Sequence, residues 1–120
     1  MDFSHLFKHE TDTVSVTAGH EILKRGETHD FMYVLLEGEA EIRLGEVLIS
    51  TVTQGALLGE LALIDHAPGS ADVIARTDCR LVRIDERRFK FLVQQTPNFA
   101  IDVMKVIVAR LRAMNQRIDS

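Results

Sequence analysis

Short alternating blocks of hydrophobic and polar residues fill the first two thirds of the chain. Thr13–Thr17 alternates strictly, and Ala40–Leu44 does so between two glycine turns. Such alternation is typical of half-buried strands. Phe31–Leu36 is apolar and rich in residues that favour strands, which predicts a central strand. Glu21–Lys24 and Val47–Val52 are further strand candidates, and this regular spacing predicts a small sandwich or barrel.

Two more strands and two helices are predicted after this region. Asp72–Ala75 and Cys79–Ile84 are expected to pair across a turn. Asp85 is a predicted N-cap for a helix that ends near Gln95. Pro97 suits the first position of a final helix that reaches about residue 118. At the other end of the chain, three apolar residues predict a short docking helix over residues 1–10: Phe3, Leu6 and Phe7.

The final helix carries two apolar stripes rather than one. The first consists of Met104, Val108, Leu111 and Ile118, and the second of Val103, Ile107 and Met114. A face this wide can contact two surfaces, so we expect one stripe on the barrel and the other on a partner helix or over a ligand. The arginines Arg110, Arg112 and Arg117 are interpreted as charges that suit the negative end of the helix dipole, with partner binding as the alternative.

Composition excludes several classes of function. The net charge of −4 argues against general nucleic-acid binding, and the single cysteine, Cys79, allows no internal disulfide or four-thiolate metal site. The five histidines form no metal-binding motif, and no phosphate loop for nucleoside triphosphates is present. No apolar run is long enough to cross a bilayer. We therefore expect a cytoplasmic protein without metal, membrane contact or direct DNA binding.

Residues 55–73, which we call the cassette, differ from the rest of the chain. Gly55 and Gly59 precede a short apolar helical turn, and a loop with Pro68 and Gly69 leads to a strand that begins near Ser70. Glycine permits close backbone approach, and the first turn of a helix leaves unpaired N–H groups that favour an anion. Backbone amides near Gly59 and Ser70 are therefore predicted to converge on one small anion pocket.

Within the cassette, Gly59-Glu60-Leu61-Ala62-Leu63-Ile64 followed by Pro68-x-Ser70-Ala71-x-Val73 resembles the phosphate-binding cassette of cyclic nucleotide-binding domains. This family includes the catabolite activator proteins and the regulatory subunits of cyclic-AMP-dependent kinases. The resemblance implies that Gly59 and the amides around it, including that of Leu61, approach the ligand. It also implies that Glu60 hydrogen-bonds the ribose 2′-hydroxyl and that Ser70 and the Ala71 amide bind the cyclic phosphate. A looser resemblance extends from about Thr17 to the final helix.

Two positions depart from the family pattern. Gly69 replaces the arginine that pairs with the phosphate, and Asp72 replaces an uncharged residue. Losing one partner of a buried charge pair costs roughly 3–5 kcal/mol, or at least about a hundredfold in affinity. Arg76 is about 20 Å from Ser70 along an extended strand and is a poor substitute. His66 is a candidate substitute cation, with an idle loop histidine as the alternative.

The sequence predicts one domain over residues 1–120, mainly β, with a β-roll or jelly-roll-like barrel at residues 13–84 closed by helices at residues 85–118. The resemblance implies a non-enzymatic sensor of cyclic AMP, cyclic GMP or a related small anion, without a cofactor, that signals through the last helix. We also expect a homodimer through Met104, Val108 and Leu111. The alternative is a degenerate domain that no longer binds nucleotide and serves as a dimerisation scaffold. For Glu60 itself, the alternative to ligand binding is a bond to backbone or to a nearby arginine such as Arg76.

Overall fold

The computed structural model describes residues 2–119, except for the side chains of residues 114 and 116–119. Eight strands form two antiparallel sheets of four, ordered β1-β8-β3-β6 and β2-β7-β4-β5. The strands are β1 (Val14–Val16), β2 (Glu21–Leu23), β3 (Phe31–Glu37), β4 (Ala40–Leu44), β5 (Val47–Val52), β6 (Leu57–Leu58), β7 (Asp72–Ala75) and β8 (Cys79–Asp85). The helices are a 3-10 helix (Ser4–Phe7), α1 (Glu60–Asp65), α2 (Glu86–Gln95) and α3 (Pro97–Asp119).

The predicted fold class is confirmed, although one strand pairing is wrong and one short strand was not predicted. β7 and β8 were expected to pair, yet β7 lies between β2 and β4 while β8 lies between β1 and β3. The turn between them carries the chain from one sheet to the other. The two-residue strand β6 was not predicted, because its two leucines show no alternation and directly precede the helical turn. The two sheets face each other without being joined into a closed barrel by hydrogen bonds.

Alternation along β3 sorts its side chains into two cores. Met32 and Val34 point to a core shared with the helices, in which Phe3, Phe7, Phe99 and Val103 are also buried. Leu35 belongs to a second core between the sheets, against which Phe31 and Tyr33 pack. Successive strand residues point to opposite faces, so this one strand supports both layers. The candidate site lies where the chain leaves β6 and enters α1.

The C-terminal helices follow the local signals of the sequence. The Asp85 side chain accepts a hydrogen bond from the Arg88 amide at 2.8 Å, so the predicted N-cap is confirmed. Val103 is buried on the barrel side of α3, whereas Met104, Val108 and Leu111 are about half exposed. The two stripes therefore face different surroundings. The predicted members Met114 and Ile118, and the side chain of Arg117, lie outside the described residues.

At the N-terminus, regular structure is shorter than expected. The 3-10 helix has only four residues, and the Asp2 carboxylate accepts hydrogen bonds from the amide and hydroxyl of Ser4. The Phe3 amide donates to the Gly55 carbonyl at 2.9 Å. Phe3 itself is fully buried and contacts the Phe99 ring edge-on at 5.9 Å between centroids. This segment thereby links the start of the cassette to α3.

Candidate ligand-binding site

Gly59 connects β6 to α1 in a backbone conformation that favours glycine. Its φ is +79°, in the left-handed region. A Cβ at this position would also lie 2.9 Å from Cδ1 of Leu23 and 3.1 Å from Cε1 of His29. Glycine is therefore favoured by the turn, and a Cβ would also displace the ends of the Leu23 and His29 side chains.

Glu60, the first residue of α1, points its side chain into the protein and is fully buried. One carboxylate oxygen, Oε1, accepts a hydrogen bond from Nη1 of Arg110 on α3. Nη2 of the same guanidinium donates to the Leu57 carbonyl at 2.6 Å. Arg110 thus joins the final helix to both β6 and α1, since Leu57 belongs to the first and Glu60 to the second.

The second carboxylate oxygen of Glu60 is different. Oε2 is buried and has no hydrogen-bond partner among the described residues. A buried acceptor without a partner costs about 1–3 kcal/mol, and most such atoms in native proteins are paired. Oε2 therefore keeps an unused capacity to accept a hydrogen bond.

Gly69 ties the second half of the cassette to the β2–β3 loop. Its N–H donates to the Glu27 carbonyl, and its own carbonyl accepts from the Gly26 N–H, both at 2.9 Å. This reciprocal pair fixes the backbone immediately before Ser70, which is exposed, and Ala71, which is half buried. The loop after β2 consequently touches both ends of the site, at Gly59 and at Gly69.

The remaining candidates have other contacts. One carboxylate oxygen of Asp72 accepts from the Arg25 amide at 2.8 Å. His66 is exposed with φ +58°, and its N–H donates to the Ala62 carbonyl at 2.9 Å, so its backbone closes α1. Leu61 is half buried in α1. Arg76 lies 3.7 Å from Glu39, so the arginine that binds Glu60 is Arg110 and not Arg76.

The interpretation of Arg110 as a charge that suits the helix dipole is also wrong, because its guanidinium is bonded to Glu60. A signal for its true position exists in the chain. Val103, Ile107 and Arg110 follow one another at spacings of four and three, which places the arginine on the buried side of α3. An arginine on a core-facing stripe needs an acceptor inside the protein, and Glu60 provides it. His29 gave no comparable signal, because its approach to Gly59 depends on the path of a loop.

An open cleft of about 480 Å³ lies over residues 21–31, and its lining includes no residue of the cassette. It is lined by β2, by the loop that follows and by the start of β3, including Leu23 and His29. Among the residues that the structure describes, no three His, Cys, Asp or Glu side chains are grouped to hold a metal ion. Within the same range, no helix is long and apolar enough to span a bilayer.

Curated proteins include relatives of this chain. The cAMP-dependent protein kinase regulatory subunit of Emericella nidulans is 35% identical over 89 residues, which cover 72% of this chain and 22% of that protein. The regulatory subunit of Dictyostelium discoideum is 36% identical over 107 residues, covering 78% of this chain and 33% of that protein. The chain thus spans about a third or less of the length of these relatives.

Solved structures extend the comparison. The structure of cAMP-bound PfPKA-R superposes with a TM-score of 0.77 at 30% identity, covering 88% of this chain and 36% of that one. The catabolite activator protein of Thermus thermophilus has a TM-score of 0.80 at 22% identity over 95% of this chain and 61% of that one, a likeness that shows the fold alone. Residues 13–96 match the family model described as the cyclic nucleotide-binding domain. The chain therefore belongs to the cyclic nucleotide-binding domain family.

Proposed function

We propose that the protein is a non-enzymatic, cytoplasmic sensor that binds a cyclic nucleotide, such as cyclic AMP or cyclic GMP, in the cassette. In this proposal the Glu60 carboxylate binds the ribose 2′-hydroxyl. The amides of Gly59, Leu61 and Ala71, with the Ser70 hydroxyl, bind the cyclic phosphate. Affinity is expected to be low, since Gly69 supplies no guanidinium for the phosphate.

The observation that carries this proposal is the buried, unpaired Oε2 of Glu60. Desolvating a carboxylate is costly, and Arg110 compensates only one of its oxygens. A ribose hydroxyl bonded to Oε2 would satisfy the remaining acceptor. That family relatives are kinase regulatory subunits, and that one similar structure contains cAMP, fits a nucleotide as the source of this hydroxyl.

Signalling is proposed to run through Arg110. Its guanidinium bonds α3 to the same carboxylate that would contact the ribose, so ligand and helix share Glu60. A ligand that binds one arrangement of Glu60 and Arg110 more tightly shifts the population of α3 positions. The magnitude of this shift is limited by the difference in ligand affinity between the two arrangements.

Calorimetry with cyclic AMP and 2′-deoxy-cyclic AMP tests the ribose contact. For the unmodified protein we expect cyclic AMP to bind about 5- to 100-fold more tightly, because the deoxy ligand leaves Oε2 without a partner. Glu60→Gln should weaken cyclic AMP binding and largely remove the difference between the two ligands. No heat and no thermal shift with millimolar cyclic AMP or cyclic GMP would contradict the proposal.

A second function, homodimerisation, is favoured by an exposed stripe on α3. The stripe consists of Ile101, Met104, Val108 and Leu111, which are 44–58% exposed. Their spacings of three, four and three residues are those of a coiled-coil seam, and Asn115 occupies the next position of the repeat. A polar Asn at such a position sets register between two identical helices. We therefore propose a second copy of this chain as the partner.

Leu111→Asp is expected to convert the dimer to a monomer, because two carboxylates would be buried against each other at the seam. Light scattering across a range of concentrations measures the mass. Ala109→Asp, which adds the same charge to α3 at an exposed position outside the seam, should change it much less. A monomeric mass for the unmodified protein at high concentration would contradict the dimer, while nucleotide binding could still occur.

A further inference from the structure

His29 holds a fixed orientation at the start of β3. Its Nδ1 lies 2.8 Å from the Phe31 carbonyl oxygen, and its ring packs on the Phe31 ring at 5.1 Å between centroids. A carbonyl group can only accept, so Nδ1 carries the hydrogen in this bond. The nitrogen left free to gain a proton is therefore Nε2.

The Nε2 side of the ring faces the cassette. A Cβ added to Gly59 would lie 3.1 Å from Cε1 and 3.7 Å from Nε2 of His29. The glycine is what allows the imidazole to approach the backbone this closely. The same loop is bonded at Glu27 to Gly69, the position that lacks the guanidinium. His29 thus lies on the segment that contacts both halves of the proposed phosphate site.

Two of the arginines near the cassette, Arg110 and Arg76, already have partners, whereas Arg25 is exposed and lies beside Asp72 through its backbone amide. Arg110 is bonded to Glu60 and to the Leu57 carbonyl, and Arg76 lies next to Glu39. Neither guanidinium is positioned by these contacts to serve the phosphate. A cation for an anionic ligand must therefore come from elsewhere around the site.

Several charged groups surround His29 itself. On the cleft side these are Glu21, Lys24, Glu27 and Asp30. From β8, the Arg83 guanidinium stacks on the Phe31 ring at 3.8 Å. On the cassette side, one carboxylate oxygen of Glu60 is bonded to Arg110, and the other titratable groups of the cassette are Asp65, His66 and Asp72. Carboxylates, lysines and arginines ordinarily keep their charges between about pH 6 and pH 8, whereas histidines change theirs.

We propose that His29 is a ligand-binding residue whose imidazolium Nε2–H supplies to the cyclic phosphate the positive charge that Gly69 does not. This inference rests on the proposed nucleotide-binding function. A cyclic phosphodiester keeps one negative charge across the neutral pH range. Any change of its attraction to the protein with pH therefore comes from protonation of the imidazole. Binding should therefore strengthen as pH falls. At a half-exposed site the effect is expected to be about three- to tenfold between pH 8 and pH 6.

Calorimetry with cyclic AMP at about pH 6, 7 and 8 tests this for the unmodified protein and for His29→Asn. Asparagine can still donate to the Phe31 carbonyl, but it lacks Nε2 and stays neutral. We expect binding of His29→Asn to be weaker at pH 6 and nearly independent of pH. The matched control is His20→Gln, an exposed histidine in the β1–β2 turn, which should retain the pH dependence. Thermal melts at each pH establish that the variants are folded.

Equal pH dependence in His29→Asn and the unmodified protein would overturn the inference while leaving nucleotide binding intact. If Lys24→Gln or Arg25→Gln abolished binding at every pH while His29→Asn retained it, the cation would come from one of these residues and the inference would be overturned. If His29→Asn does not fold, His29→Gln provides the same comparison. Gly69→Arg distinguishes a failure of the His29 inference from a failure of the nucleotide-binding proposal. Binding by Gly69→Arg with none by the unmodified protein at pH 6 overturns the role of His29 alone, and no binding by any of these proteins overturns both.

Discussion

Gly69→Arg is expected to tighten cyclic AMP binding by at least about a hundredfold. A guanidinium forms two charge-assisted hydrogen bonds with a phosphate, and roughly 3 kcal/mol corresponds to this factor. The backbone can accept the substitution, because Gly69 has no positive φ and its Cβ would lie 3.2 Å from the Lys24 carbonyl oxygen. A shift of a few tenths of an ångström in that loop suffices. Isothermal calorimetry measures the change directly.

The matched control for this gain is Ala67→Arg. It places the same charge in the same exposed loop, two residues away from the phosphate position. General attraction between the protein and an anion would increase the affinity of both variants for cyclic AMP alike, whereas a site-specific contact increases only that of Gly69→Arg. Unchanged affinity in Gly69→Arg would show that the cassette does not present its amides to a phosphate. The family fold would then remain without its ligand, as in the scaffold alternative.

Arg110→Met should lower the free energy of unfolding by about 3 kcal/mol. The substitution leaves the Glu60 carboxylate fully buried without its cation, and an uncompensated buried charge costs about 3–5 kcal/mol. Partial exposure of Arg110 places the expectation at the lower end of this range. Urea denaturation followed by circular dichroism measures the change, which corresponds to a fall in Tm of about 10 °C for a domain of this size.

A double-mutant cycle separates this pair from ordinary loss of packing. Glu60→Gln combined with Arg110→Met removes both charges, so most of the lost stability should return. Arg76→Met is the control, because its ion pair with Glu39 is exposed and should contribute less than about 1 kcal/mol. If Arg110→Met were as stable as the unmodified protein, the Arg110 contact would not hold Glu60 inside the fold. The proposed link between α3 and the ligand would then also fail.

Local patterns were sufficient for most of the secondary structure. Alternation predicted β4 and the glycine turn after it predicted β5, both with their observed bounds, and a single aspartate predicted the start of α2. The cassette motif identified Gly59 and Glu60, and the structure places the first in a left-handed turn and the second in the interior. These features depend on backbone geometry within a few residues, so the sequence expresses them directly. The wide apolar face of α3 was visible for the same reason.

Contacts between distant segments required the tertiary structure. The sequence could not show that β7 and β8 belong to different sheets, because hydrophobic alternation specifies the face of a strand and not its neighbour. It indicated that Glu60 needs a partner, but the choice of Arg110 depends on how α3 returns over β6. The approach of His29 to Gly59 likewise depends on where the β2–β3 loop crosses the cassette. The amino-acid sequence by itself determined which residues form the cassette, and folding alone decided which charges meet there, since electrostatic partners are selected by distance in space.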